Sequence, residues 1–257
     1  STDIWRKRYH WIIDRITACW TDIIISNSFS GRDALIEKGG ISPEKIRVIP
    51  NGIKLYEPKK VIKRDDFGIK SSEYIVGTVG NLRKAKGHIY IISAAPLILK
   101  EYPDTRFVIV GEGELKDALI RETERLKISD RFIFTGFVDN PTDIVSLFDV
   151  FVFPSLWEGC PVGLLEAMML GKSCIAFPVG DIPYIIEDGV SGLLVKYKSI
   201  EKLASAVITL LKDKQLREDM GNAAHKRVVE HFSLEVMMKR YISTYIELTC
   251  CFINKSI

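Results

Sequence analysis

Residues 149–177 read DVFVFPSLWEGCPVGLLEAMMLGKSCIAF and contain a complete strand–helix–strand pattern. The runs 149–155 and 173–180 each contain a short apolar segment, which is typical of fully buried strands. Between them, Pro161 suits the first turn of a helix, because that turn leaves its backbone N–H groups without intrahelical partners. The stretch therefore predicts two parallel strands joined by a helix.

The same alternation extends on both sides of this unit. Strands are predicted at 73–82, 105–113, 131–136 and 192–195, and helices at 87–101, about 114–127, 141–147 and 182–187. Strands and helices that alternate at this spacing are typical of a parallel sheet with helices on both faces and right-handed crossovers. The predicted fold class is therefore α/β.

The two ends of the chain follow other patterns. Before the sheet, the sequence predicts an amphipathic helix at 4–20, a buried strand at 23–25, a helix from the N-cap Ser28 to about Lys38 and a strand at 46–49. Residues 54–66 lose periodicity and gain charge, which indicates a linker. After the sheet, helices are predicted at about 199–213, 215–231 and 233–248. The first helix is basic and aromatic, so contact with an anionic membrane surface and packing on a core both stay open.

Composition narrows the class of protein. The 257 residues are 47% hydrophobic and 27% charged, which excludes intrinsic disorder along most of the chain. A net charge of +3 is too balanced for a nucleic-acid coat, so no nucleic-acid partner is expected. No apolar run reaches the roughly 18 residues that span a bilayer, and no secretory leader is visible. We expect a cytoplasmic location, with peripheral membrane contact as an option. The five cysteines form no CxxC pair, which favours reduced thiols over structural zinc.

Ligands of open parallel sheets bind beyond the carboxyl ends of the strands, so the residues that follow each strand are candidates for a site. Arg83 and Lys86 lie in a basic loop before a helix, where cations and a helix N-terminus can bind phosphate. A solvated surface loop is the alternative. Two further turns offer open backbone or an aromatic face to a ligand: Gly111, Gly113, Phe137 and Val138. For the two glycines, the alternatives are a tight turn or packing against another loop. For Phe137, the alternative is a place in the core.

The helix that follows Pro161 is the most informative candidate. Its first amides, at Val162 and Gly163, are free to bind an anion. Glu158 precedes this helix and Glu166 lies inside it, so two carboxylates flank the helix end and can accept hydrogen bonds from hydroxyl groups. A diphosphate with hydroxylated sugars on both sides fits this arrangement. A capping glutamate and a solvated glutamate are the alternative.

Six segments in order carry a resemblance to one enzyme family: ISPEKIRVIPNGI (41–53), VGTVGNLRKAKG (76–87), FVIVGEGE (107–114), FIFTGFV (132–138), DVFVFPSLWEGCPVGLLEAMMLGK (149–172) and FPVGDIPYIIEDGVSGLLV (177–195). They are similar to the C-terminal, donor-binding half of the retaining glycosyltransferases of family 4, once called group 1, which have the GT-B fold. Glu158 and Glu166 match the pair of glutamates, separated by seven residues, that this family carries.

The resemblance implies two Rossmann-like domains, with a nucleotide-sugar donor of UDP or GDP type bound between them and no need for a metal or another cofactor. It implies that Glu166 hydrogen-bonds the ribose and that Glu158 contacts the transferred sugar. It implies that Lys86 holds the diphosphate. The arginine usual in the family aligns with Asn81, which leaves Arg83 as the candidate replacement.

The resemblance also implies that Phe137 and Val138 meet the base. It divides the chain into a remnant of the acceptor-side domain at 1–52, a linker at 53–72, a donor-binding domain at 73–232 and a helix at 233–257 that crosses back to the N-terminal domain. Most of the acceptor-side domain is expected to be missing, so the apolar faces of the helices at 4–20 and 233–248 are expected to be partly bare.

The sequence therefore predicts a retaining hexosyltransferase that uses a nucleotide sugar and an unknown glycan or lipid acceptor, in polysaccharide, lipopolysaccharide or glycolipid biosynthesis. Two alternatives stay open: a non-catalytic nucleotide-binding remnant, and a nucleotide-sugar epimerase of the same fold. A dinucleotide-dependent oxidoreductase is disfavoured, because the sequence has no GxGxxG turn followed by an acidic residue about 20 positions later.

Overall fold

The computed structural model describes residues 7–54 and 62–255, with the backbone alone for 251–255. The N-terminal segment, residues 7–54, contains helix α1 (Arg8–Thr17), strand β1 (Ile24–Ser26), helix α2 (Phe29–Glu37) and strand β2 (Ile46–Val48). β1 and β2 pair in parallel. β1 lies one residue later than predicted and its isoleucines are half-buried rather than buried, because a sheet of two strands covers little surface.

Six further strands form the central sheet: β3 (Tyr74–Val79), β4 (Thr105–Val110), β5 (Phe132–Gly136), β6 (Val150–Phe153), β7 (Ser173–Ala176) and β8 (Leu193–Leu194). They pair in parallel in the order β5-β4-β3-β6-β7-β8. The direction of winding reverses between β3 and β6, which is where ligands bind in sheets of this kind. The predicted α/β class is confirmed.

Eight helices of the described residues follow or cover these strands: α3 (His88–Glu101), α4 (Lys116–Arg125), α5 (Pro141–Val145), α6 (Val162–Met169), α7 (Ile182–Ile185), α8 (Ile200–Lys212), α9 (Lys214–His231) and α10 (Leu234–Lys255). The sheet separates two hydrophobic cores. On β6, Phe151 and Phe153 point into one core while Val150 and Val152 point into the other. Short apolar strands of this kind are buried on both faces, as the sequence predicts.

The predicted linker is packed at both ends. Residues 55–61 lie outside the described part of the chain. Before them, the N–H of Ile53 donates to the carbonyl of Phe232 at 2.9 Å. After them, Ile69 is buried in the core and Arg64 forms an ion pair with Asp149 at 2.9 Å. The domain boundaries themselves stay a prediction.

Apolar side chains are exposed on α1 and α10, and on α1 this contradicts one of the two interpretations of the first helix, its packing on a core. Residues 1–6 lie outside the described residues, but Ile12, Ile13 and Ile16 are exposed on α1. Packing of this stripe on a core is therefore wrong for the described residues, because nothing in them covers it. α10 runs beyond the predicted end at residue 248 and also carries exposed apolar side chains, among them Ile246. Among the helices described, none combines the length and the apolarity needed to cross a membrane.

Candidate functional site

Two loops meet at the carboxyl ends of β3 and β6: the basic loop, residues 81–87, and the glutamate loop, residues 154–161. The N–H of Leu156 donates to the carbonyl of Ala85 at 2.7 Å. Gly87 lies so close to the glutamate loop that a Cβ there would sit 2.0 Å from the carbonyl oxygen of Pro154, and its φ is +65°. Only glycine satisfies both conditions, so it fixes the basic loop against the glutamate loop.

This packing brings Lys86 and Glu158 together. The Lys86 Nζ lies 2.5 Å from Glu158 Oε1, and the two side chains are 27% and 11% exposed. The same Nζ lies 5.3 Å from the ring centroid of Phe153, within the range of a cation–π contact. A cation and a carboxylate, both partly shielded from water, thus stand side by side at the edge of the sheet. Arg83 lies at the start of the same loop and is exposed.

The N-terminus of α6 lies directly after the glutamate loop. Pro161 is its N-cap residue, and no side chain of the described residues caps the helix. Val162 is exposed, and a Cβ at Gly163 would meet no atom within 4 Å. The first N–H groups of a helix carry a partial positive charge, so this open end can bind an anion. Glu166 lies more than one turn inside the helix, where burial raises the pKa of its carboxyl group.

The two glutamates line different cavities, which the sequence did not predict. Glu158 lines a cavity of about 1170 Å³, together with Trp157 and with Ser28 of the N-terminal segment. Glu166 lines a second cavity of about 960 Å³, together with residues such as Lys239 on α10. They separate because Glu158 precedes α6 and Glu166 lies inside it. Each carboxylate therefore offers acceptor oxygens to a different part of a ligand.

The glycine turn after β4 packs on another loop, which the sequence left open as an alternative to ligand contact. A Cβ at Gly111 would lie 2.1 Å from the carbonyl oxygen of Gly80, and the φ of Gly111 is +139°. A Cβ at Gly113 would lie 2.7 Å from the backbone N and O of Leu82. These glycines therefore let the turn and the basic loop touch. Direct contact of Gly111 and Gly113 with a ligand stays a prediction.

The aromatic turn after β5 stands open. Phe137 is 77% exposed, so the alternative of a core phenylalanine is wrong. Val138 is partly buried and packs against one of the two cores. The structure thus leaves the ring of Phe137 available to a ligand at the carboxyl edge of the sheet, while Val138 anchors the turn. Their contact with a base stays a prediction.

Sequence reasoning missed Asp181. It is 2% exposed and accepts hydrogen bonds from the N–H groups of Phe29 and Ser30, which lie in the N-terminal segment. The available signal was a carboxylate in a glycine turn just after β7, at the edge where the site forms. Nothing in the local pattern revealed its distant partner.

Metal ligation has no support from the described residues, which contain no group of three or more His, Cys, Asp or Glu placed to hold an ion.

Comparisons with protein families cover both parts of the chain. The family model described as glycosyl transferases group 1 matches residues 59–227. The model described as Glycosyltransferase Family 4 matches residues 2–57. The first match covers more than half of the chain and includes every candidate site residue that the sequence predicts.

Individual relatives are longer than this chain. The UDP-Gal:alpha-D-GlcNAc-diphosphoundecaprenol alpha-1,3-galactosyltransferase of Escherichia coli is 29% identical over 93% of this chain and 64% of its own length. The N-acetyl-alpha-D-glucosaminyl L-malate synthase of Bacillus anthracis is 32% identical over 72% of this chain and 48% of its own. The chain thus spans about half to two thirds of these relatives.

Solved structures share the fold. The crystal structure of Anabaena HepE in complex with UDP is 22% identical and superposes with a TM-score of 0.88 over 95% of this chain and 69% of its own. The sucrose-phosphate synthase of Thermosynechococcus elongatus is 23% identical, with a TM-score of 0.81 over 98% of this chain and 64% of its own. At these identities the likeness shows the fold alone.

Proposed function

The chain belongs to the group 1 glycosyl transferases, and from that premise we propose that it is the donor-binding part of a retaining hexosyltransferase. The observation that carries the proposal is the contact of Lys86 with Glu158 beside the open N-terminus of α6. A cation, a helix end and a carboxylate there match the parts of a sugar diphosphate: two negative phosphates next to a ring of hydroxyl groups.

In this proposal the donor lies along the carboxyl edge of the sheet. Lys86, Arg83 and the amides of Val162 and Gly163 meet the charge of the diphosphate without a metal ion. The ribose hydroxyls donate to Glu166, and the base packs near Phe137. UDP is the favoured nucleotide, because UDP-Gal is the donor named for the E. coli relative and UDP is bound in HepE.

Binding of the donor would exchange the partner of Lys86. Without a ligand, its ammonium group pairs with Glu158. A diphosphate carries more negative charge than one carboxylate and competes for the ammonium group, which frees an oxygen of Glu158 for a hydroxyl of the transferred sugar. The same lysine would therefore couple recognition of the phosphates to recognition of the sugar.

The proposed reaction keeps the configuration of the anomeric carbon. The bond from this carbon to the phosphate oxygen breaks, the acceptor oxygen bonds to the same face, and the proton of the acceptor hydroxyl passes to the leaving diphosphate. Lys86 and the α6 amides stabilise the charge that grows on the leaving group. We propose a same-face reaction, without a covalent intermediate on the protein, because the family resemblance implies it.

The acceptor and the location are proposed for the whole protein. The names of the two relatives include a lipid diphosphate acceptor and L-malate, so we propose a hydroxyl group of a lipid-linked glycan or another glycan as the acceptor here. Transfer to a lipid-linked acceptor fits a cytoplasmic protein that contacts the membrane peripherally. Helix α1 supports that contact, because it carries both basic and exposed apolar side chains.

Calorimetric titration with UDP and GDP tests the donor site. A hydrogen bond to a charged group contributes about 1.5–3 kcal/mol, so Lys86→Ala should weaken UDP binding by roughly 10–150-fold. Lys84→Ala is the matched control: it removes the same charge from the same loop and should leave the affinity nearly unchanged. A chelator should not alter either result. Equal affinity of wild type and Lys86→Ala would remove the basic loop from the site.

A further inference from the structure

Asp181 joins two parts of the chain that lie far apart in sequence. Its two carboxylate oxygens accept the N–H groups of Phe29 at 2.7 Å and Ser30 at 2.8 Å, across 152 and 151 positions of sequence. The third N–H of α2, from Gly31, goes to the N-cap Ser28 at 3.0 Å. A negative charge at a helix N-terminus is favourable, and more so when it is shielded from water, as the buried Asp181 is.

The backbone around Asp181 rests on the glutamate loop. The N–H of Asp181 donates to the carbonyl of Gly159 at 3.3 Å. Gly180 has a φ of +55°, and a Cβ there would lie 1.8 Å from the carbonyl oxygen of Glu158. The turn at 180–181 therefore touches the backbone of Glu158 and of its neighbour. A single side chain thus connects the first turn of α2 to the backbone that carries Glu158.

Two further contacts hold the same interface together. The Asn51 side chain of the N-terminal segment donates to the carbonyl of Cys160 at 3.1 Å. The rings of Phe29 and Tyr184 stack with their centroids 4.6 Å apart. The N-terminal segment is therefore attached both to the glutamate loop and to α7. Beside this interface lies the larger cavity, into which Glu158 faces.

We propose that Asp181 is a positioning residue that holds the glutamate loop against α2, so that Glu158 is placed to bind the transferred sugar. This inference rests on the proposed function. The carboxylate of Glu158 is already constrained from one side by Lys86. Movement of its backbone by even a fraction of an ångström costs contact with a sugar hydroxyl, because hydrogen bonds tolerate little displacement. Lys86 and Glu166 lie outside the loop, so loss of Asp181 should affect binding of the bare nucleotide much less than binding of the sugar nucleotide.

The first arm of the test measures the connection itself. Hydrogen exchange is followed in peptides that cover 29–31, in wild type and in Asp181→Asn, which keeps the shape and loses the charge. Asp213→Asn is the matched control, because Asp213 caps α9 through Leu216 at 2.9 Å and does not touch the glutamate loop. We expect exchange at 29–31 to be about tenfold faster in Asp181→Asn, the equivalent of one lost charged hydrogen bond. Unchanged exchange would overturn the connection.

The second arm measures the consequence by calorimetry with UDP and UDP-galactose. In Asp181→Asn, UDP affinity should stay within about twofold, while UDP-galactose affinity should fall about fivefold or more. Asp213→Asn should change neither. An equal loss for both ligands, or no loss, would overturn the positioning role. Asp181→Ser, which keeps a smaller acceptor, provides the same comparison if Asp181→Asn does not fold.

Failure of the proposed function gives a different pattern. If wild type binds neither nucleotide, the donor site and the positioning role both fall. The exchange arm still reports on the connection between Asp181 and α2, because it needs no ligand.

Discussion

At the scale of single residues, the two glutamates should separate by ligand. Glu166 faces the cavity next to α10 and is proposed to bind the ribose, so Glu166→Gln should weaken UDP itself. Glu158 is proposed to contact the transferred sugar, so Glu158→Gln should not weaken UDP and should weaken only the sugar nucleotide, by roughly 10-fold or more. Calorimetry with UDP and UDP-galactose on both variants makes the comparison. Wild-type affinity for UDP in both variants would return Glu166 to a packing role.

His88 makes stability depend on pH. It is buried at the start of α3, both ring nitrogens lack a partner among the described residues, and burial, helped by Lys86, lowers its pKa from 6.5 to about 4. Between pH 4 and 6.5 the unfolded chain binds more protons at this residue than the folded chain does. The contribution of His88 to the free energy of unfolding therefore rises with pH over this range and is constant above pH 6.5.

Replacement of this histidine should therefore help most in acid. His88→Leu should raise the free energy of unfolding more at pH 5 than at pH 8, with a slope difference of at most about 1.4 kcal/mol per pH unit. Urea unfolding at several pH values measures it. His231→Gln, a change at an exposed site, is the control and should keep the wild-type slope. The same gain for His88→Leu at pH 5 and pH 8 would contradict the account.

Single residues also show where sequence reasoning ends. The meeting of Lys86 and Glu158 could be predicted, because each follows a strand of one parallel sheet and the carboxyl ends of such strands share an edge. The contact of Asp181 with Phe29 could not. No periodicity links positions so far apart, and a carboxylate that caps a distant helix looks in sequence like any polar turn residue.

At the scale of elements, α6 should gain stability and lose function from one substitution. Gly163 lies in the first turn of α6, where glycine is about 0.5–1 kcal/mol less favourable than alanine. The space at its Cβ position is empty, so Gly163→Ala should fold with an equal or higher Tm. If the diphosphate lies against this helix end, the added methyl group should weaken UDP binding. Calorimetry and thermal unfolding on the same sample test both effects.

Gly77 in β3 is the contrasting control. A Cβ there would lie 2.0 Å from the ring of Phe148, so Gly77→Ala should lower the free energy of unfolding by about 1–3 kcal/mol through overpacking. A fall in Tm for Gly163→Ala like that for Gly77→Ala would mean that the α6 glycine is needed for packing. Unchanged UDP affinity in a stable Gly163→Ala would separate this helix end from the donor.

The type and the order of the strands and helices can be predicted from the sequence, but the residues at which they begin and end depend on tertiary contacts. The strands were found because short apolar runs bounded by turn residues are typical of buried parallel strands. The predicted helix at about 114–127 begins only at Lys116, since Leu115 donates its N–H to the carbonyl of Leu82 in the basic loop. The linker that the resemblance implies at 53–72 includes Ile69, which is buried, and composition alone does not reveal one anchoring residue.

At the scale of the whole molecule, two apolar faces have no cover among the described residues. They are formed by exposed side chains on α1 and α10: Ile12, Ile13, Ile16, Ile242, Tyr245 and Ile246. Contiguous apolar surface of this kind marks a site of association. The chain spans about half to two thirds of its relatives, and in the proposed function it forms the donor side of a cleft.

The 257-residue chain should therefore bind a sugar nucleotide weakly, transfer nothing and self-associate. Positioning of two reactants can contribute about 7–11 kcal/mol to lowering a barrier, and in the proposed function this chain positions only one of them. Sedimentation velocity should show a mass that rises with concentration, and the double variant Ile13→Ser with Ile16→Ser should reduce that rise. Ile89→Ser with Leu97→Ser, on exposed positions of α3, is the control and should not. A monodisperse monomer that transfers sugar from UDP-galactose to an acceptor extract would show instead that the donor side alone is sufficient.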